Sequence, residues 1–114
     1  MTVLFIALGL IIAYFMGSIP TAIWFGRAVY NTDVRQHGSR NQGATNTFRV
    51  LGTRAGTIVM LGDIIKGLLA TSIATLLMHG NIITPANLVT YKLIFGVVAV
   101  VGHIFSAFLN FKGG

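Results

Sequence analysis

TVLFIALGLIIAYFMGSIPTAIWFG, residues 2–26, carries no charged side chain. A bilayer core of ~30 Å needs ~20 such residues in a helix, so this segment is long enough to cross. It does not read as a secretory signal, because its start has no Lys or Arg and its apolar run is too long. Gly17-Ser18-Ile19-Pro20 falls in its second half. Proline removes a backbone donor and crowds the preceding turn, so a bend is expected at Pro20, read as a packing kink rather than a ligand site.

The rest of the chain fits that first segment. Of 114 residues, 54% are hydrophobic and 9% charged, against about 25% charged in a soluble domain. Such a chain belongs to the membrane class. The net charge of +6 comes from eight Lys or Arg against two Asp. Those cations flank apolar runs, so they read as juxtamembrane charges and an anion site rather than as a nucleic-acid surface. There is no cysteine, which removes disulfides and thiolate metal sites.

Two further spans are expected, at about 55–78 and about 87–111, joined by HGNIITPA. In that connection Thr84 reads as an N-cap and Pro85 as the first helical residue. The fold class is all-α: one transmembrane helical bundle with no soluble domain and no internal repeat. Arg27, Arg35, Arg40, Arg49 and Arg54 crowd the first connection, about 27–54, while the second holds His79 with Lys92 nearby. The positive-inside rule then puts the first connection in the cytoplasm and the N-terminus outside. Three spans return Lys112-Gly113-Gly114 to the cytoplasmic side. Trp24 and Tyr91 suit the membrane interfaces, and Lys92 suits snorkelling.

Within the first connection lies RQHGSRNQGATNTFR, residues 35–49. Gly38 and Gly43 let backbone N–H groups turn toward a common point, which makes an anion-binding concavity. Ser39, Asn41, Thr45 and Asn46 add neutral donors. Arg35, Arg40 and Arg49 add guanidinium groups able to grip a phosphate through two bonds. Two readings stay open on these residues alone: a phosphate site against the membrane, or a solvated loop whose arginines only obey the charge rule. Catalytic groups are scarce. Asp33 is the one carboxylate near enough to orient His37, and no His is followed four residues later by Asp. An enzyme here would need a substrate carrying its own good leaving group, with the protein supplying position and charge neutralisation.

Four blocks, GSIPTA, HGSRNQGATNTFRVLG, GDIIKG and GHIFSAFLNFKGG, resemble in order and spacing the PlsY-type acyl-phosphate:glycerol-3-phosphate acyltransferases of bacteria. The resemblance runs from about Tyr14 to Gly114. It implies a seven-span membrane enzyme of the plasma (inner) membrane, of which about three spans are present here. It implies transfer of a fatty acyl group from acyl phosphate to the 1-position of glycerol 3-phosphate, giving lysophosphatidic acid, with no metal or dissociable cofactor. On the residues, it implies that Ser39 and Arg49 contact phosphate and the reacting carbonyl. Gly38, Asn41, Gly43 and Asn46 would shape the pocket, and Lys112, Gly113 and Gly114 would begin a glycine loop for glycerol 3-phosphate. The substrate's own phosphate would activate the acceptor hydroxyl. Two departures stand out. The family usually has glycine where this chain has Arg40, which either adds an anion contact or projects to solvent. The family also continues past FKGG through four more spans, so the chain reads as an N-terminal portion.

Asp63 and Lys66, three residues apart in the second span, share a helix face and are expected to pair. Charges at such depth face a bundle or a wet cavity. Lys66 reads either as a substrate-phosphate contact or as a packing charge, and His103, in the third span, as a bundle-interior histidine or a substrate contact. Gly52, Gly56 and Gly62 suit close helix approach. Other classes remain as alternatives: a small oligomeric transporter or channel subunit relying on Asp63, or an inactive fragment that assembles as a homo-oligomer or with a missing C-terminal half.

Overall fold

The computed structural model describes residues 1–111; Lys112, Gly113 and Gly114 lie outside the described residues. Every regular element among the described residues is helical: α1 (Thr2–Ser18), α2 (Thr21–Tyr30), α3 (Ala44–Leu51), α4 (Thr53–His79) and α5 (Leu88–Ile104), with short 3-10 turns between and after them. By length and apolarity, Thr53–His79 and Pro85–Leu109 can each cross a bilayer. The pair Thr2–Ser18 and Thr21–Tyr30, bent by 42°, makes a third span if taken together. The all-α transmembrane bundle therefore stands, and the chain is a membrane protein.

The bend falls where the sequence places it. Ile19 and Pro20 separate α1 from α2, and Pro20 has no N–H to continue the ladder. Helices α1, α4 and α5 pack on one another around Ala13, Ala70, Ala74, Phe95 and Ala99. Small residues set the spacing between them. A β-carbon on Gly17 would overlap the Ala99 carbonyl, and one on Gly102 would overlap the Tyr14 carbonyl. These two glycines let the backbones of α1 and α5 touch. Gly56 and Gly62 play the same part, against the Phe48 ring and the Thr21 methyl. Gly52 does not. Nothing lies near its missing side chain, and its φ of +95° instead turns α3 into α4.

Three local expectations change. The first connection is not irregular throughout, because α2 runs to Tyr30 and residues 44–51 form α3, whose buried side includes Asn46 and Thr47. The third helix ends at Ile104 rather than near 111: the Ser106 hydroxyl accepts from the Phe108 N–H at 3.3 Å and starts a new turn. Pro85 does occupy a first-turn position, but the Thr84 side chain makes no capping bond, and a 3-10 turn over Pro85–Asn87 leads into α5 instead.

Candidate functional site

The loop between α2 and α3 is anchored at one end by Val34, fully buried against Ala22 and Val59. Its organising residue is Asn46, 1% exposed. The Asn46 Nδ2 donates to the carbonyls of Val34 at 2.9 Å, His37 at 3.2 Å and Asn41 at 2.7 Å. The Asn46 Oδ1 accepts from the Ser39 N–H at 3.0 Å. One side-chain amide thus gathers carbonyls from three turns of a chain that has few ladder bonds of its own, satisfying groups that are costly to leave unpaired. Around it, Asn41 Oδ1 accepts from the Gly43 N–H at 2.9 Å, and Thr47 Oγ1 donates to the Gly43 carbonyl at 2.9 Å. Gly38 sits at φ +58°, and a β-carbon there would run into Asn46 Oδ1. This is a position only glycine fills.

The arrangement turns Ser39 outward. Ser39, Arg40 and Arg49 are exposed, and Arg40, Arg49 and Arg54 form no ion pair among the described residues. Arg49 follows Asn46 by three residues on α3, with Asn46 buried and Arg49 exposed. The Arg35 guanidinium lies 2.7 Å from Asp33, and Arg27 lies 3.0 Å from the same carboxylate. Asp33 is thereby committed to arginines rather than to orienting His37. The hydrogen bond from the Arg35 side chain, aided by the Arg35 backbone N–H and by Arg27, holds the Asp33 carboxyl down at about 2, against a smaller opposing push from burial.

The second polar region lies at the helix break. Breaking α1 at Pro20 releases carbonyls that water cannot satisfy at this depth. The Ser106 hydroxyl donates to the Ser18 carbonyl at 2.5 Å, and Lys66 Nζ donates to the Ile19 carbonyl at 2.8 Å. The Ala107 N–H returns a bond to Ser18 Oγ at 3.3 Å, and the Tyr14 hydroxyl reaches the Phe105 carbonyl. Lys66 is buried, lies 3.1 Å from His103 Nδ1, and lies 3.1 Å from Asp63 Oδ1. The Asp63 contact is an ion pair by distance, out of line for a hydrogen bond. The expected Asp63–Lys66 pairing is present, and its unforeseen third member is the Ile19 carbonyl.

A cavity of about 210 Å³ opens beside this cluster, lined by Gly17, Asp63, Lys66, Gly67, Ala99 and His103. A smaller pocket of about 10 Å³ shares Lys66 and His103 and reaches Ser18, Ser106 and, from the loop, Gln42. On the other side, an apolar groove of about 400 Å³ between α4 and α5 shares Gly96 and Val100 with the cavity and runs on to Thr71 and Lys92. The cavity beside Lys66 and the open groove between α4 and α5 thus share part of their lining. Among the described residues no three His, Asp or Glu side chains gather into a cation-binding set.

Of the residues singled out in the sequence, Gly38, Ser39, Asn41, Gly43 and Asn46 come together in the loop, and Lys66 and His103 meet at the break. Gln42 bridges the two regions and was not foreseen, nor were Ser18 and Ser106. A serine beside the proline break was the available signal for Ser18; for Gln42, a side chain on a loop, there was none.

A family model described as glycerol-3-phosphate acyltransferase matches residues 7–114. The chain is similar to the glycerol-3-phosphate acyltransferase of Streptococcus gordonii, 49% identical over 94% of this chain and 46% of that one. It is similar to that of Enterococcus faecalis, 51% identical over 92% and 45%, and to that of Bacillus subtilis, 49% identical over 96% and 52%. The chain spans about half the length of the curated relatives it matches. No solved structure matches it.

Proposed function

The chain belongs to the glycerol-3-phosphate acyltransferase family, and from that premise we propose that it serves transfer of a fatty acyl group from acyl phosphate to the 1-position hydroxyl of glycerol 3-phosphate. The product is lysophosphatidic acid and the leaving group is phosphate. The observation that carries this reading is the loop hung on Asn46, which leaves Ser39 and Arg49 exposed and sends Gln42 to line the pocket at Lys66 and His103.

The chemistry suits that geometry. An acyl phosphate is a mixed anhydride, so the acceptor oxygen attacks the carbonyl carbon, the bond from that carbon to the phosphate oxygen breaks, and the hydroxyl proton ends on a phosphate oxygen. No nucleophilic side chain is needed, and positioning with charge neutralisation supplies most of the rate. Ser39 donates to the phosphate or the carbonyl oxygen, and Arg49 neutralises phosphate. Gly38, Asn41, Gly43 and Asn46 hold the loop's shape, while Lys112, Gly113 and Gly114 contribute to the glycerol 3-phosphate side. Lys66 and His103 border the acyl donor's head. The acyl tail lies along the spans, where apolar burial favours it by ~0.8 kcal/mol per methylene. We place the chain as one transmembrane domain of a bacterial inner membrane, N-terminus outside, with the loop and the C-terminal glycines on the cytoplasmic side. The transporter reading needs an intramembrane acid, and Asp63 is already engaged by Lys66.

The test supplies the purified chain in bilayers with acyl phosphate and glycerol 3-phosphate, with acyl-CoA and acyl carrier protein thioesters as parallel donors. Lysophosphatidic acid from acyl phosphate alone is expected. Product from neither the chain alone nor the chain co-expressed with the remaining half of a relative would remove the reading.

A further inference from the structure

We propose that Lys66 is a positioning residue that holds His103 as the Nε2–H tautomer, so that the imidazole presents a fixed neutral donor to an anionic or carbonyl oxygen of the substrate in the cavity beside it. The proposal rests on the acyltransferase reading for the identity of that substrate, and on geometry for the rest.

An ammonium group such as that of Lys66 has donors and no lone pair. Its neighbours are the Ile19 carbonyl at 2.8 Å, His103 Nδ1 at 3.1 Å and the Asp63 carboxylate at 3.1 Å. Both oxygens can only receive. The contact with Nδ1 therefore runs from Lys66 to the ring, and a ring nitrogen that accepts carries no proton. The imidazole proton must sit on Nε2. That nitrogen makes no hydrogen bond within the described residues, and His103 lines both the small pocket and the 210 Å³ cavity. Burial of Lys66 makes the device stiff: it is 8% exposed and tied to three elements at once. The Ile19 carbonyl it holds lies at the proline break and also accepts from the Thr21 N–H at 3.0 Å, so Lys66 ties the break to His103.

A neutral donor differs from a cationic one in a useful way. It stabilises an oxygen as charge develops there without binding every passing anion, and its direction is fixed before substrate arrives. A second-neighbour contact that sets a histidine tautomer is a familiar arrangement around metal-bound imidazoles; here an ammonium group fills that place.

The tautomer is read by nitrogen-15 NMR of the histidine-labelled chain in bilayers, with His103 assigned by loss of its signals in His103→Gln. The wild-type chain is expected to show an unprotonated Nδ1 and a protonated Nε2. Lys66→Met is expected to give a tautomer mixture, and Lys66→Arg to restore most of the Nε2–H form. A long-chain alkyl phosphonate, an uncleavable stand-in for acyl phosphate, is expected to shift the Nε2–H proton. A wild-type signal with the proton on Nδ1 overturns the proposal whether or not any variant folds. An unchanged tautomer in Lys66→Met overturns it too, as does an Nε2–H proton that the phosphonate leaves unmoved while lysophosphatidic acid is still formed. Failure of the acyltransferase reading shows separately, as absence of product with the tautomer still locked.

Discussion

The loop around Asn46 and the cluster around Lys66 are both polar knots tied by one side chain, yet they spend their charge in opposite ways. Asn46 is neutral, and it uses its whole bonding capacity on backbone, drawing in carbonyls from residues 34, 37 and 41. The exposed arginines around it keep their charge for something outside the protein. Lys66 carries charge and commits it to Asp63, Ile19 and His103, all inside. Depth explains the contrast. Next to water an unpaired guanidinium costs little, whereas in a bilayer an unpaired ammonium is expensive and must close on partners. A site for a phosphate ester with an acyl tail needs both kinds: open charge at the surface for the head, and closed charge below it that shapes the passage without competing for the anion.

The sharpest way to break this comparison is to remove the neutral knot. Asn46→Leu leaves the Asn41 carbonyl and the Ser39 N–H without their partner, while the Val34 and His37 carbonyls keep only the His37 and Arg40 N–H groups, a loss of about 3 kcal/mol. Amide hydrogen exchange should then accelerate across residues 34–43 while α4 and α5 stay protected, and acyl transfer should vanish. Asn46→Asp, which faces the same carbonyls with a carboxylate, should do no better. Retained protection at Ser39 in either variant would show that the loop has another support.

Next in size is the surface charge itself. Ser39→Ala and Arg49→Ala should each lower lysophosphatidic acid formation by about 100-fold or more. Helix content should not change, and loop exchange should quicken only at Asn41 in Ser39→Ala, where the N–H loses its 3.4 Å bond to Ser39 Oγ. Arg49→Lys should recover little, since a point charge cannot grip phosphate through two bonds. Near-normal rates in both alanine variants would reduce the loop to a charge-rule ornament, the other reading its sequence allows.

How much of this was legible beforehand follows the same division. The spans and the bend at Pro20 could be read because apolar length and a missing N–H are local properties. The Asp63–Lys66 pair could be read because three residues on a helix fix a shared side. The loop's chemistry was legible as composition, but its architecture was not: nothing in HGSRNQGATN announces that Asn46, rather than a glycine or an arginine, gathers the backbone. The pairing of Arg35 with Asp33, two residues earlier in the loop, is a contact that composition alone does not show. The stitching of Ser106 to Ser18 joins residues 88 apart, which no local pattern encodes. Gln42 became visible only when the helix break put a pocket beneath it.

Arg40 sharpens the comparison by a smaller amount. It takes φ +64°, a left-handed conformation that costs an ordinary residue roughly 1 kcal/mol and glycine almost nothing. Glycine, which the resemblance implies at this position, would take this backbone angle without that cost. Arg40→Gly should therefore slow exchange in the loop and stabilise it by up to about 1 kcal/mol. Activity then decides what the arginine is for: unchanged turnover means that it projects to solvent, and a raised KM for glycerol 3-phosphate means that it adds an anion contact.

The smallest effect expected comes from acid. Asp33 holds Arg27 and Arg35 at the neck of the loop, and its carboxyl is depressed from 3.8 to about 2. A carboxylate whose folded value lies below its unfolded one adds stability that is complete above the unfolded value and disappears as pH falls through the folded one. The window is thus pH 4 down to 2, and nothing should change between 5 and 8 from this group. Arg35 guanidinium exchange, followed by NMR, should quicken across that window as the 2.7 Å contact opens. Asp33→Asn should show the quickened exchange at neutral pH and flatten the acid response.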